Sequence, residues 1–241
     1  MKKVEIEGKK EKSQEIAVAK QDDTAITTAG MDFSDRFRGL SESDLVTPKA
    51  HLYQGLPREK KLYGNFSPGD IIDSLHMTKI EPPEFMPIMV YKEWVRWDET
   101  GQGRILYIQS DVSKVPPEDL EYVDGKPPRA TEYHNWIVLF VNRDFPSLLR
   151  LKKSSLKTSK QLYTSEKLLG RRGPGLYVFS SKEAVSEKGE YLLPVFTFKS
   201  RAPEDMIKLG LEFYKSIRPE TIRSKESDYI ESETASEEVP F

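Results

Sequence analysis

The chain contains no cysteine in 241 residues. That single absence removes disulfides, thiolate nucleophiles and cysteine-based zinc sites. Histidine is scarce as well: His51, His76 and His134 stand far apart, without the paired spacing of a metal site, and read as surface or packed side chains. No apolar run approaches the roughly 18 to 20 residues that a membrane-spanning helix needs, and the opening "MKKVEIEGKKEK" lacks the apolar stretch of a signal peptide. The expected setting is a cytoplasm, with no membrane partner. Also missing are a GxxxxGK[ST] phosphate loop, HExxH, GxSxG and a GxGxxG after a strand. With none of these motifs, the expectation is a protein that is not an enzyme and takes no cofactor and no metal.

What is present is aromatic and charged. Eleven Tyr, 11 Phe and 3 Trp are enough for a core, although 32% of residues are Asp, Glu, Lys or Arg. The formal net charge of -2 conceals an asymmetry. Residues 226–241 hold six acids (Glu226, Asp228, Glu231, Glu233, Glu237 and Glu238) and no base. Residues 1–45 hold eight bases and ten acids, which leaves 29 bases against 23 acids between them, a net charge of +6. A basic body carries an acidic tail.

Three segments follow from this pattern: a disordered arm at 1–45, a β-rich nucleic-acid-binding domain at 46–222 and an acidic tail at 223–241. The arm runs through "QDDTAITTAGMDFSDRFRGLSESD" with too few apolar side chains to offset ordering entropy. From Val46 onward, short runs of branched and aromatic residues lie between Gly, Pro, Asn and Asp, which reads as strands and turns. The expected strands are "KAHLYQGL", "GDIIDSLH", "FMPIMVYKEWVRWD", "RILYIQS", "NWIVLFVN", "SLLRLKK", "GLYVFSSKEAV" and "GEYLLPVFTFKS". The turn "SEKG" joins the last two, with Gly189 able to take positive φ. Two helices are expected, "SSLKTSKQLYTSEKLL" with Ser154 or Ser155 as N-cap, and "APEDMIKLGLEFYKSI". A mainly β fold with one or two helices suits an OB-like barrel, and "SDVSKVPPEDLEYVDGKPPRATEY" reads as a loop inserted between two of its strands.

The candidate chemistry is the interleaving of aromatic and basic residues. In "VYKEWVRW" strand alternation places Lys92, Trp94 and Arg96 on one face. Single-stranded nucleic acid needs aromatic platforms for bases, worth about 1 to 3 kcal/mol each, beside cations for phosphates. Whether Trp94 and Trp97 are platforms or core stays open on sequence alone. A second group is Arg150 and Lys152 on one strand, followed by Lys153, Lys157 and Lys160 at helical spacing. No acid lies between Asp144 and Glu166. A third set, Arg171, Arg172, Tyr177, Phe179 and Lys182, continues the pattern through "GRRGPG" into the following hairpin.

The last residues, "SEEVPF", place Glu237 and Glu238 before Val239, Pro240 and Phe241. An aromatic ring beside a carboxylate, approached through a stiff proline, suits capture by a partner's pocket. This ending on an acidic tail resembles the C-terminal tip of bacterial and phage single-stranded DNA-binding proteins. The resemblance implies that Glu237 to Phe241 recruit replication or recombination proteins. It covers only these few residues, and the tail lacks that family's Gly/Gln/Pro-rich linker and run of aspartates. The blocks "MPIMVYKEWVRW", "LKKSSLKTSKQL" and "SEKGEYLLPVF" look like a group of phage replication-region proteins. A viral origin would make the compartment the host cytoplasm.

The expected function is binding and protection of single-stranded DNA, with partners docked through the tail. Two alternatives remain at this point: a metal-dependent nuclease built on Glu118, Asp119, Glu121 and Asp124, and an acidic-tailed adaptor whose basic body binds protein.

Overall fold

The computed structural model describes residues 48–217, apart from 65, 99–103, 124 and 187–188. The expected arm at 1–45 and tail at 223–241, with Glu237, Glu238, Val239, Pro240 and Phe241, lie outside the described residues.

The largest element is β4 (Glu84–Trp97), flanked on one side along its whole length by β6 (Ala130–Phe140). Its other side is divided: Glu84 and Phe85 pair with β8 (Gly175–Ser186), whereas Trp94 to Trp97 pair with β5 (Ile105–Gln109). A register shift between Pro87 and Met89 separates the two halves. Proline has no N–H to give to a ladder, so it is accommodated where the pairing is already broken. With β7 (Pro146–Lys152) and β9 (Gly189–Arg201) the antiparallel order is β7-β6-β4-β8-β9, with β5 beside β4. Gly189 at the β8–β9 turn has φ 128°, the positive value the turn requires.

A second sheet joins β1 (Ala50–Leu52), β2 (Ile71–Asp73) and β3 (Thr78–Lys79). The buried Asp73 carboxylate ties its turn to the β6–β7 loop by accepting from His76 Nδ1 at 2.8 Å, from Leu75 N–H at 2.9 Å and from Arg143. Burial works against its charge, but these donors outweigh burial and hold it below the ordinary carboxylate range.

Alternation along the strands gives the large sheet two apolar faces. Phe85, Trp136, Val138, Phe140, Leu149, Leu151, Tyr177 and Phe179 pack with Leu162 of α3 (Leu156–Leu169). Met86, Leu139 and Leu176 pack with Met206 and Ile207 of α4 (Glu204–Ser216). Phe85 is the hub of the first, with the Phe196 ring 5.1 Å and the Tyr177 ring 5.9 Å away.

The architecture is mainly β, as expected, with antiparallel sheets, but it is not the closed barrel that was expected. Among the described residues β7 and β9 are separate edges. They are drawn toward each other indirectly. Lys49, just before β1, bridges to Leu148 of β7 in parallel, and the Gln54 amide then accepts Leu192 N–H of β9 at 2.7 Å and donates to Leu192 C=O at 2.9 Å. Two further short helices also went unexpected, α1 (Pro57–Tyr63) and α2 (Pro117–Leu120). The second lies within the segment read as an inserted loop, and the "ATEY" at the end of that segment belongs to β6.

Candidate functional site

Helix α3 is entered through a 3-10 turn, Lys153–Ser155. Ser155 occupies the N-cap position but does not cap the helix with its side chain. Its hydroxyl accepts Lys152 N–H at 2.8 Å and donates to Lys152 C=O at 2.6 Å, closing the turn instead. Lys153, at φ 49°, therefore lies outside the helix, and the helical spacing that grouped it with Lys157 and Lys160 holds only for the latter two. Both of those are exposed.

The helix is pinned by its two buried residues, Ser159 and Leu162. Ser159 Oγ accepts Trp136 Nε1–H at 2.7 Å and lies 2.7 Å from His134 Nδ1, while His134 Nε2 lies 2.9 Å from Glu132 Oε1. Lys92 Nζ donates to the same Glu132 oxygen at 2.7 Å and stands 5.9 Å from the centre of the Trp94 ring. The hydrogen bond from His134, supported by Lys92 against the opposing effect of burial, holds Glu132 down to about 2. The ionised Glu132 oxygen can only accept, so His134 Nε2 donates to it, while the other ring nitrogen meets the serine hydroxyl. This Ser–His–Glu series has hydrolase-like lengths, yet Ser159 is 0% exposed and a substrate has no access to it. It acts as a latch between helix and sheet. Lys92 and Trp94, paired with His134 and Glu132, therefore sit on the face of the sheet against which α3 packs.

The remaining expected residues divide. Arg150 and Lys152 share a face, but the opposite one: Arg150 Nε donates to Asn135 Oδ1 at 3.0 Å, and Lys152 Nζ lies 5.4 Å from the centre of the Tyr133 ring. Beneath them the fully buried Asn135 donates to the buried Glu93 at 2.6 Å. Arg96 is only 9% exposed, with Nε 3.2 Å from Asp119 and a hydrogen bond to Trp97 C=O at 2.6 Å. It anchors α2 and is corrected from phosphate contact to buried ion pair. Tyr177 and Phe179, 1% and 2% exposed, are corrected from stacking platforms to core. Trp94 is half-buried, and Arg172 is exposed with its carbonyl accepting from Arg201. The Arg171 side chain lies outside what is described.

Of the loop acids, Asp119 is taken by Arg96 and by the Tyr107 hydroxyl at 2.8 Å, while Asp124 lies outside the described residues. Among the described residues no group of three His, Asp or Glu is placed to hold a metal. No described helix is long and apolar enough to cross a membrane. Sequence reasoning passed over Tyr163 and Lys167, which α3 exposes beside Lys160. Their i, i+3, i+7 spacing from Lys160 was the available signal.

No curated protein matches the chain, and no solved structure does. A family model described as Pam3 phage gp34-like protein matches residues 17–223, which spans every described element. The chain therefore belongs to the Pam3 phage gp34-like protein family.

Proposed function

We propose that the protein binds and protects single-stranded DNA during phage replication or recombination, in the host cytoplasm, and recruits partner proteins through Glu237, Glu238, Val239, Pro240 and Phe241. The observation that carries this reading is the exposed pair of cations on α3, Lys157 and Lys160, on a helix that packs on the same face of the sheet as the Lys92 and Trp94 pair. Cations beside a half-exposed indole are the combination that a sequence-tolerant single-strand binder uses. The antiparallel sheet serves as a platform under one strand, without barrel closure.

The test is anisotropy of a labelled oligothymidylate across a salt series. Affinity should fall on a log-log plot with a slope of about 0.7 per phosphate contacted, and Lys157→Ala with Lys160→Ala should reduce that slope by about 1.4. Binding that ignores salt, or preference for duplex over single strand, would sink the reading. Loss of the oligonucleotide on adding magnesium would point to a nuclease instead.

A further inference from the structure

The outward side of α3 carries one group that the reading above leaves unused. Tyr163 is 48% exposed, and Lys167 Nζ lies 5.3 Å from the centre of its ring. Lys157, Lys160 and Lys167 are all exposed, and residues 157 to 167 span about 15 Å of helix at 1.5 Å per residue. The one acid of α3 is withdrawn from this side: Glu166 Oε1 accepts Gly175 N–H at 3.0 Å and lies 2.8 Å from the Tyr177 hydroxyl. A lysine over a tyrosine four residues away is a common helix-surface pair. That pair accounts for the Lys167 contact, but not for a helix side with three cations and no outward acid, where like charges repel unless an anion lies across them. An acidic peptide would answer the charge alone. A single nucleic-acid strand answers both features, since its phosphates meet the lysines and its bases have π faces for the ring.

We propose that Tyr163 is a base-stacking platform for single-stranded DNA, with Lys157, Lys160 and Lys167 on the flanking phosphates. This rests on the single-strand reading and adds to it a second aromatic contact, separate from Trp94. The experiment compares oligothymidylate with an abasic oligonucleotide of equal length, each titrated against the full chain. Tyr163→Ala should weaken thymidylate binding about 5- to 150-fold and leave abasic binding unchanged. Tyr163→Phe, which keeps the ring, should restore most of the loss. The double variant Lys157→Ala, Lys160→Ala should weaken both ligands. If Tyr163→Ala binds thymidylate like the parent while the lysine variant does not, the platform is refuted and the single-strand reading stands. An equal loss on both ligands refutes it too, because the ring would then not be meeting bases. If the parent binds neither oligonucleotide, both fall. Far-UV circular dichroism checks that the exposed substitution leaves the fold intact.

Discussion

Replacing Ser159 by alanine deletes one oxygen from the junction of α3 with the sheet. That oxygen serves Trp136 Nε1 and His134 Nδ1, each at 2.7 Å, and the three residues are 0%, 3% and 6% exposed. Water cannot take its place without opening the helix. Each hydrogen bond is worth about 0.5 to 1.5 kcal/mol net, and a buried indole N–H left bare costs about 1 to 3 kcal/mol. Alanine returns a few tenths through its better helix propensity. The expected loss is about 2 to 4 kcal/mol, read as a lower urea midpoint at unchanged m-value. A double-mutant cycle isolates the contact. In a Trp136→Phe background the donor is already gone, so Ser159→Ala should cost at least about 1 kcal/mol less than in the parent. A loss under about 0.5 kcal/mol, or strict additivity of the two substitutions, would refute the latch.

Four more outcomes are expected. Arg96→Ala breaks a buried ion pair and should cost about 3 to 5 kcal/mol of stability, whereas Lys92→Ala, at an exposed pair, should cost under about 1 kcal/mol; urea melts compare them. Glu132 is held down to about 2 from an ordinary 4.5, so the stability it contributes is full above 4.5 and fades as pH falls toward 2. The parent should therefore lose more stability than Glu132→Gln between pH 5.5 and 2.5, and equal losses would contradict the shift. Burial pushes Glu166 up, so the sign reverses: its contribution is present below the ordinary carboxylate range and is lost as pH rises through the folded value. Glu166→Gln should raise the urea midpoint at pH 8, with the gap to the parent closing on acidification. Phe241→Ala should leave single-strand affinity unchanged and abolish capture of replication partners in pull-downs, and retained capture would remove the tip from the proposal.

The eight expected strands are all present because bulky residues bounded by turn formers leave little choice at short range. What local pattern cannot supply is the far side of a contact. Alternation correctly puts Tyr177 and Phe179 on one face, but only Phe85, some 90 residues earlier in the chain, makes that face the core. Arg96 looks like Lys92 in sequence, and Asp119 on an unforeseen helix decides its fate. Helix α1, "PREKKLY", has no apolar period to notice; the buried Glu59 carboxylate organises its start, accepting Leu56 N–H at 3.2 Å, Gln54 N–H at 2.8 Å and His51 Nε2 at 2.7 Å. Lys153 was misplaced by a single turn, because Ser155 closes a 3-10 loop where a cap was expected. The second basic group is split, Arg150 and Lys152 lying on the face opposite to Lys92 and Trp94, since register and not composition sorts them.

The Gln54 side chain meets Leu192 with one acceptor and one donor, the complement that a neighbouring peptide group would offer. Next to it, Thr158 donates its hydroxyl to Pro194 C=O at 2.9 Å. Together they act as insulation on an outer strand of 13 residues that would otherwise be a template for another molecule's strand. Glutamate at position 54 would still accept the Leu192 N–H but would turn a negative charge toward the Leu192 carbonyl. So conservative an exchange would uncover the part of the β9 edge that Gln54 covers and leave the part held by Thr158, which makes one amide a contributor to whether molecules of this protein remain separate at high concentration.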